Sequence, residues 1–482
     1  MRDDFILHEL ERDESPASAA LFGALAAEYF AGTRAGVGPV STPHAPAAIA
    51  ERYDEPLPES GRPLAEVVER LRRDVVADSN RLMHPMYMGH QVSAPLPAAV
   101  WAEVVTSALN QSVAVSEMSP AITPMEHRVV RWMTGLVGWG EGSGGTLTSG
   151  GTEATFTALL AARSAAVPDV WTNGVGARPP TVVCGEHAHY AVSRAVGEMG
   201  LGLRSLHLVP SRDYAMDVAA LERTLDALAA AGTPVMAVVA TAGSTATGSF
   251  DDLDAIGQLC ERRGLWLHVD GAHGASALLS DAHRHRLRGI ERARSLAWDP
   301  HKMMLLPLAA GMVLVRDERD LAGAFAQQAP YLFHGAGGEQ KVWDQGVRSF
   351  LCSRRADVLK LWVALQRYGR AGIGALYDRL CDTTRVLYEE IGRRRDFVAL
   401  HEPQSNILCF RWVGDSSLAD TELDALNRGL RERYNRSGAG WITATDLGGR
   451  RVLRVTVMNP RTTREHVVRL LDGLGAEAWG RV

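Results

Sequence analysis

The feature that most limits the fold is an alternation that sets in at about residue 81. Helical patterns at about 153–166, 188–199, 216–231 and 252–263 are separated by short apolar runs. The runs are Thr181-Val182-Val183-Cys184, Val235-Met236-Ala237-Val238-Val239-Ala240, Trp266-Leu267-His268-Val269 and Gly311-Met312-Val313-Leu314-Val315. They are continuously apolar where a half-exposed strand would alternate with polar residues. Strands of this kind are buried on both faces, which implies a mostly parallel sheet covered by helices on each side. The class is α/β, and ligands of such sheets bind beyond the carboxyl ends of the strands. Asp270 stands at one such end.

The flanks read differently. Residues 1–80 form an N-terminal helical segment: Ala24-Leu25-Ala26-Ala27-Glu28-Tyr29-Phe30 has helical spacing, and Pro39, Pro43, Pro46, Pro56 and Pro58 mark a meandering connection. A large domain is expected over 81–365, with a long helical stretch starting near 355. Residues 366–482 read as a small α+β domain with strands at Ile407-Leu408-Cys409-Phe410-Arg411-Trp412 and Val452-Leu453-Arg454-Val455-Thr456-Val457. At 482 residues and 46% hydrophobic, the chain can fill cores for two or three domains.

A formal net charge of -5 argues against a nucleic-acid binder, and the clusters Arg393-Arg394-Arg395 and Arg450-Arg451 read as solvated helix ends or turns. No run is apolar for long enough to span a bilayer, and no signal peptide is expected. Cys184, Cys260, Cys352, Cys381 and Cys409 are widely spaced with no CxxC, which suits reduced thiols in a cytoplasmic protein.

Three motifs carry chemistry. In Trp298-Asp299-Pro300-His301-Lys302-Met303 a lysine follows an apolar, strand-like run. A lone lysine is usually a surface charge, but apolar Ala297, Trp298, Met303, Met304, Leu305 and Leu306 flank this one. Burial favours the neutral amine, which forms an imine with an aldehyde. In Leu267-His268-Val269-Asp270 a carboxylate ends a buried strand; its bland alternative is a helix cap or a strand-end turn. In Ser149-Gly150-Gly151-Thr152 glycines precede a helix, where backbone N–H groups and the helix end attract an anion, although turns of this composition are common. An imine former, an anion for a pyridinium nitrogen and a phosphate cradle are what pyridoxal 5'-phosphate needs from a protein. His189 could stack on such a ring or simply start a helix, and Thr245 could contact a cofactor or be a turn hydroxyl. No metal site is assigned.

At these residues the chain resembles the group II PLP-dependent amino acid decarboxylases, which include aromatic amino acid, glutamate, cysteine sulfinate and diaminobutyrate decarboxylases. The resemblance runs from about residue 80 to the C-terminus. It rests on His84-Pro85 through Ser93, Ser149-Gly150-Gly151-Thr152, His189, Phe250-Asp251, His268-Val269-Asp270, Pro300-His301-Lys302 and the stretch Ser353 to Trp362. It implies PLP fold-type I, the aspartate aminotransferase-like architecture, with a mostly parallel seven-stranded sheet, and a homodimer with active sites at the subunit interface. It implies that Lys302 carries the cofactor, Asp270 pairs with the pyridinium, His189 stacks on the ring, and Ser149, Gly150, Gly151 and Thr152 hold the phosphate. Ala272 would lie under the ring, with Thr245 and His301 as further contacts. Tyr331 matches a mobile-loop tyrosine that in relatives is implicated in protonating the substrate carbon, and Gly335-Ala336-Gly337-Gly338 would suit a flexible lid. Arg454 matches an arginine that some relatives place near the substrate carboxylate, with a structural salt bridge as its alternative. His90, Gln91 and Ser93 would form the substrate-side lip.

Departures leave the substrate open. Met303-Met304 stands where many relatives have Trp, and His273 replaces an aromatic residue. The lip is polar, which disfavours a large aromatic substrate. Asp299 stands where Asn is frequent, so an extra anion near the phosphate needs a neutralising neighbour or a turned-away side chain. The expected reaction is decarboxylation of an L-amino acid to its amine. The alternatives are another PLP reaction on the same scaffold (decarboxylation-coupled oxidative deamination, transamination or carbon–carbon lyase chemistry) and a non-catalytic PLP-binding dimer.

Overall fold

A computed structural model of the chain describes residues 2–325, 343–414 and 418–479. The chain divides into two compact units, Gln91–Arg385 with His401–Cys409, and Met1–His90 with Val386–Leu400 and Phe410–Val482.

The first of these holds a seven-stranded sheet. Its strands are β1 (Gly144–Thr148), β2 (Thr181–Gly185), β3 (Leu206–Val209), β4 (Val235–Thr241), β5 (Trp266–Asp270), β6 (Ser295–Trp298) and β7 (Gly311–Val315), in the order β1-β7-β6-β5-β4-β2-β3. Strands β3, β2, β4, β5 and β6 run parallel, and β7 is antiparallel to both of its neighbours. The four continuous apolar runs are β2, β4, β5 and β7, buried along nearly their whole length. Helices α1 (Gly151–Ala166), α2 (Ala191–Glu198), α3 (Val218–Ala230) and α4 (Leu253–Arg263) connect the strands. The Asp217 and Asp252 side chains cap α3 and α4 by accepting the backbone N–H of Ala220 and Ala255. Gly264 ends α4 with φ 64°, a left-handed conformation that glycine adopts without steric cost.

Strand β1 has little strand propensity of its own, since it begins Gly-Gly. Its glycines are there for packing: a Cβ on Gly145 would come within 2.5 Å of the Val313 carbonyl oxygen in β7. A buried ion pair anchors the same strand. Arg354 NH2 lies 2.5 Å from Glu126 Oε1, and that oxygen also accepts the Leu147 N–H at 3.2 Å. The helix Val358–Gly392 is broken at Gly369 (φ 66°, ψ 171°).

The other unit carries a five-stranded sheet built from β8 (Phe397–Ala399), β9 (Ile407–Trp412), β10 (Trp441–Leu447), β11 (Arg450–Thr456) and the short strand Tyr87–Met88, which pairs parallel with β10. Helices Asp420–Arg436 and Arg464–Trp479 pack against each other, and the first also packs on β10 and β11. The early segment is tied in by hydrogen bonds from Asn459 Nδ2 to the Met83 carbonyl and from the Val40 N–H to the Gly438 carbonyl, both 2.8 Å. Among the described residues no helix is long and apolar enough to cross a membrane.

Candidate active site

The carboxyl end of the seven-stranded sheet opens into a cavity of about 350 Å³, lined by Gln91, the turn Ser149–Thr152, His189, Thr241, Gly243, Thr245, Asp270, Ala272, His273, Asp299, His301 and Lys302. The turn leads from β1 into α1, so the free N–H groups of a helix start face the space. Glycine is required there by close approach: a Cβ on Gly151 would lie 2.7 Å from the Ala272 Cβ. The Ser149 N–H donates to Glu153 Oε2 at 2.8 Å, which holds the turn to the first helical residues.

Asp270 ends β5 and is paired in register with Thr241 at the end of β4. Its Oδ1 accepts the Ala272 N–H at 3.2 Å. Two residues back, on the same side of the strand, His268 is wholly enclosed. Its Nδ1 lies 2.9 Å from Ser295 Oγ, which also accepts the Trp266 indole N–H at 2.8 Å, and its Nε2 has no hydrogen-bond partner among the described residues. Burial pushes the His268 pKa from 6.5 down to about 4, against a smaller upward pull from the Asp270 carboxylate. The unfolded chain therefore binds more protons than the native one between these values. The stability due to neutral His268 is complete above pH 6.5 and is lost as pH falls towards 4. Acidification across that window is expected to cost the native protein about 3 kcal/mol more than a His268→Gln variant, measured by urea unfolding. Equal losses in the two proteins would contradict this.

Lys302 lies in the turn that follows β6. Its N–H donates to the Asp299 carbonyl at 2.9 Å, and its side chain, 21% exposed, places Nζ 3.0 Å from Asp299 Oδ2. His301 Nδ1 accepts the Ala310 N–H at 2.9 Å, so in the neutral ring Nε2 carries the proton; it lies 3.5 Å from the same Asp299 oxygen. Burial alone would raise the Asp299 carboxyl, but the charges and hydrogen bonds of Lys302 and His301 outweigh it and hold its pKa at about 2. The extra anion thus has its neutralising neighbours. His189 accepts the Ala191 N–H on Nδ1 at 3.2 Å; burial pushes its pKa down, assisted by the charges of Lys302 and Arg194 and opposed by Asp270 and Asp299.

Residues 46–413 match the pyridoxal-dependent decarboxylase conserved domain. The chain belongs to the pyridoxal-dependent decarboxylase family. It is a carboxy-lyase that decarboxylates an amino acid with pyridoxal 5'-phosphate as its cofactor. It is 33% identical to rat (Rattus norvegicus) cysteine sulfinic acid decarboxylase over 440 residues, covering 89% of each chain. It is also 33% identical to the L-2,4-diaminobutyrate decarboxylase of Rhizobium meliloti (strain 1021) over 430 residues, 88% of this chain and 84% of that one. The crystal structure of mouse CSAD superimposes with a TM-score of 0.90 at 30% identity, covering 96% of this chain and 99% of the other.

In this pyridoxal-dependent decarboxylase, Ser149, Gly150, Gly151, Thr152, His189, Thr245, Asp270, Ala272, His301, Lys302 and Gln91 of the sequence expectation meet at one cavity. Ser93 is placed elsewhere: its buried hydroxyl donates to the carbonyls of His301 (3.1 Å) and Leu306 (3.3 Å), so it braces the lysine turn from outside the lining. His90 and Arg454 belong to the other unit, where Arg454 NH1 donates to Thr443 Oγ1 at 3.2 Å. Tyr331 lies outside the described residues. The decarboxylase motifs did not single out Thr241 or Gly243 as lining residues. Their signal was position alone, at the carboxyl end of the apolar run beside the Asp270 run. Asp299 and His273 were noticed only as departures.

Proposed function

We propose that Lys302 carries the cofactor, that the substrate is a small L-amino acid with an acidic side chain, and that the working enzyme is a homodimer. The observation that carries the first point is the convergence of the Lys302 amine, the Asp270 carboxylate and the glycine turn on one cavity. The fit to the cofactor is supported by the Gly151 cradle, which a single methyl would fill, and by the helix start that faces it. Bound there, the cofactor supplies an aldehyde for an amine to join and a ring that draws electrons from the substrate's α carbon. Lys302 offers the amine. Asp270 would keep a proton on the ring nitrogen, while the N–H groups of Gly150, Gly151 and Thr152 would take the phosphate. Ala272 leaves room for the ring, and His189, Thr245 and His301 bind it. Tyr331 remains the proposed proton donor to the substrate's α carbon.

An acidic substrate is supported by the name of the rat relative, cysteine sulfinic acid decarboxylase. A homodimer is supported by helix Pro97–Leu109, which exposes Trp101, Val104, Val105 and Leu109 together.

One experiment tests these points. The purified holo-protein is incubated with aspartate, cysteine sulfinate, glutamate, 2,4-diaminobutyrate and aromatic amino acids, with carbon dioxide and amine products measured and the particle mass read by light scattering. The acidic substrates are expected to lead by about tenfold or more, at twice the mass of one chain. Preference for a cationic or aromatic substrate overturns the acidic reading. An aldehyde product with oxygen uptake overturns simple decarboxylation, and a single-chain mass overturns the dimer.

A further inference from the structure

We propose that Asp299 is a positioning residue whose carboxylate receives the Lys302 amine whenever that amine is not joined to the cofactor. The proposal rests on the reading that Lys302 is the carrier. Asp299 is 1% exposed, and its Oδ2 lies 3.0 Å from Lys302 Nζ and 3.5 Å from His301 Nε2. Its Oδ1 has no hydrogen-bond partner among the described residues. The carboxylate sits against the start of α1, where a Cβ on Gly151 would lie 3.0 Å from Oδ2. A fixed anion at a helix start is favoured by the helix's own partial charge. Among the described residues, the charged and titratable groups that line the cavity with the pair are His301 from the same turn, Asp270 from the end of β5, His273 just after it and His189 from the turn before α2; α1 contributes its backbone at Gly151.

A carboxylate at 3.0 Å is a charged hydrogen-bond partner for the amine. Asp299 therefore keeps the released amine docked beside the cavity, where a neutral residue would let it swing outwards. Were a substrate amine to take the place of Lys302 on the cofactor, the docked lysine would stay placed for its return. The pairing also opposes capture of the cofactor, because the amine must first leave the carboxylate.

The chain has three lysines, Lys302, Lys341 and Lys360, so a label on each is readily assigned. The test uses full-length protein stripped of cofactor, acetylated with acetic anhydride at neutral pH and resolved by mass spectrometry. In Asp299→Asn, and in Asp299→Ser as a second variant, the rate of Lys302 labelling is expected to rise about tenfold while that of buried Lys360 stays low. Capture of added pyridoxal 5'-phosphate at neutral pH, followed by its visible absorbance, is expected to quicken about tenfold. A general structural disturbance would raise the Lys360 rate as well. An unchanged Lys302 rate in both variants overturns the role of Asp299. If bound cofactor fails to protect Lys302 of the native protein from the label, the carrier reading itself fails.

Discussion

Lys302→Ala is expected to lose about four orders of magnitude or more in turnover, together with the visible absorbance of bound cofactor. Among the described residues no other amine lines the cavity, and Lys360, the other described lysine, is fully buried between Glu103 and Asp357. Lys302→Arg should behave like the alanine variant, because a guanidinium keeps its charge and forms no imine. The measurement is the rate of carbon dioxide release beside an absorbance spectrum and a circular dichroism check of folding. A folded Lys302→Ala protein that retains even a hundredth of native turnover removes the lysine from its proposed place.

The second large effect concerns stability. Glu126→Ala is expected to destabilise the unit that holds the seven-stranded sheet by about 3–5 kcal/mol, the cost of leaving a buried charge uncompensated. Arg354 is 4% exposed and Glu126 is fully enclosed, so solvent offers no substitute partner. The Glu126 carboxylate also holds the Leu147 N–H, and Arg354 NH2 reaches Thr146 Oγ1 at 3.4 Å. Both contacts fall on β1, the strand that delivers the Ser149–Thr152 turn, so cofactor affinity should fall with stability. Replacing both partners by apolar residues (Glu126→Leu with Arg354→Met) should recover most of the loss, because neither charge is then stranded. Urea unfolding followed by circular dichroism, with cofactor affinity from equilibrium dialysis, reads both quantities. A double variant as unstable as the single one would show that packing, and not charge, sets the cost.

Much of the sheet was legible because the signal is local. Val182, Val238, Val269 and Val313 sit in apolar runs that only a doubly covered strand can accommodate, and each run became a strand. Strand β1 was silent because glycine has no strand preference; close packing against β7 puts it there. Strand β3 was silent for another reason. It lies at the sheet edge and is half exposed, so it lacks a continuous apolar run. In the site, Lys302 and Asp270 announced themselves by charge at the end of apolar stretches. Ser93 shows where such reading stops. Its polarity suggested the lip of a pocket, but the direction of its hydroxyl depends on where the 301–306 carbonyls arrive from a segment about 210 residues later.

By itself the sequence determined the α/β class, the strands at 181–184, 235–240, 266–269 and 311–315 and the residue types able to hold an aldehyde cofactor, because periodicity and adjacency are written along the chain. Folding in three dimensions settled the rest: that Asp299 is neutralised against Lys302, that Thr241 stands beside Asp270, and that residues 1–90 and 410–482 fold as one unit. Those outcomes depend on strand register and on the direction of side chains brought together across hundreds of residues, and no local pattern encodes them.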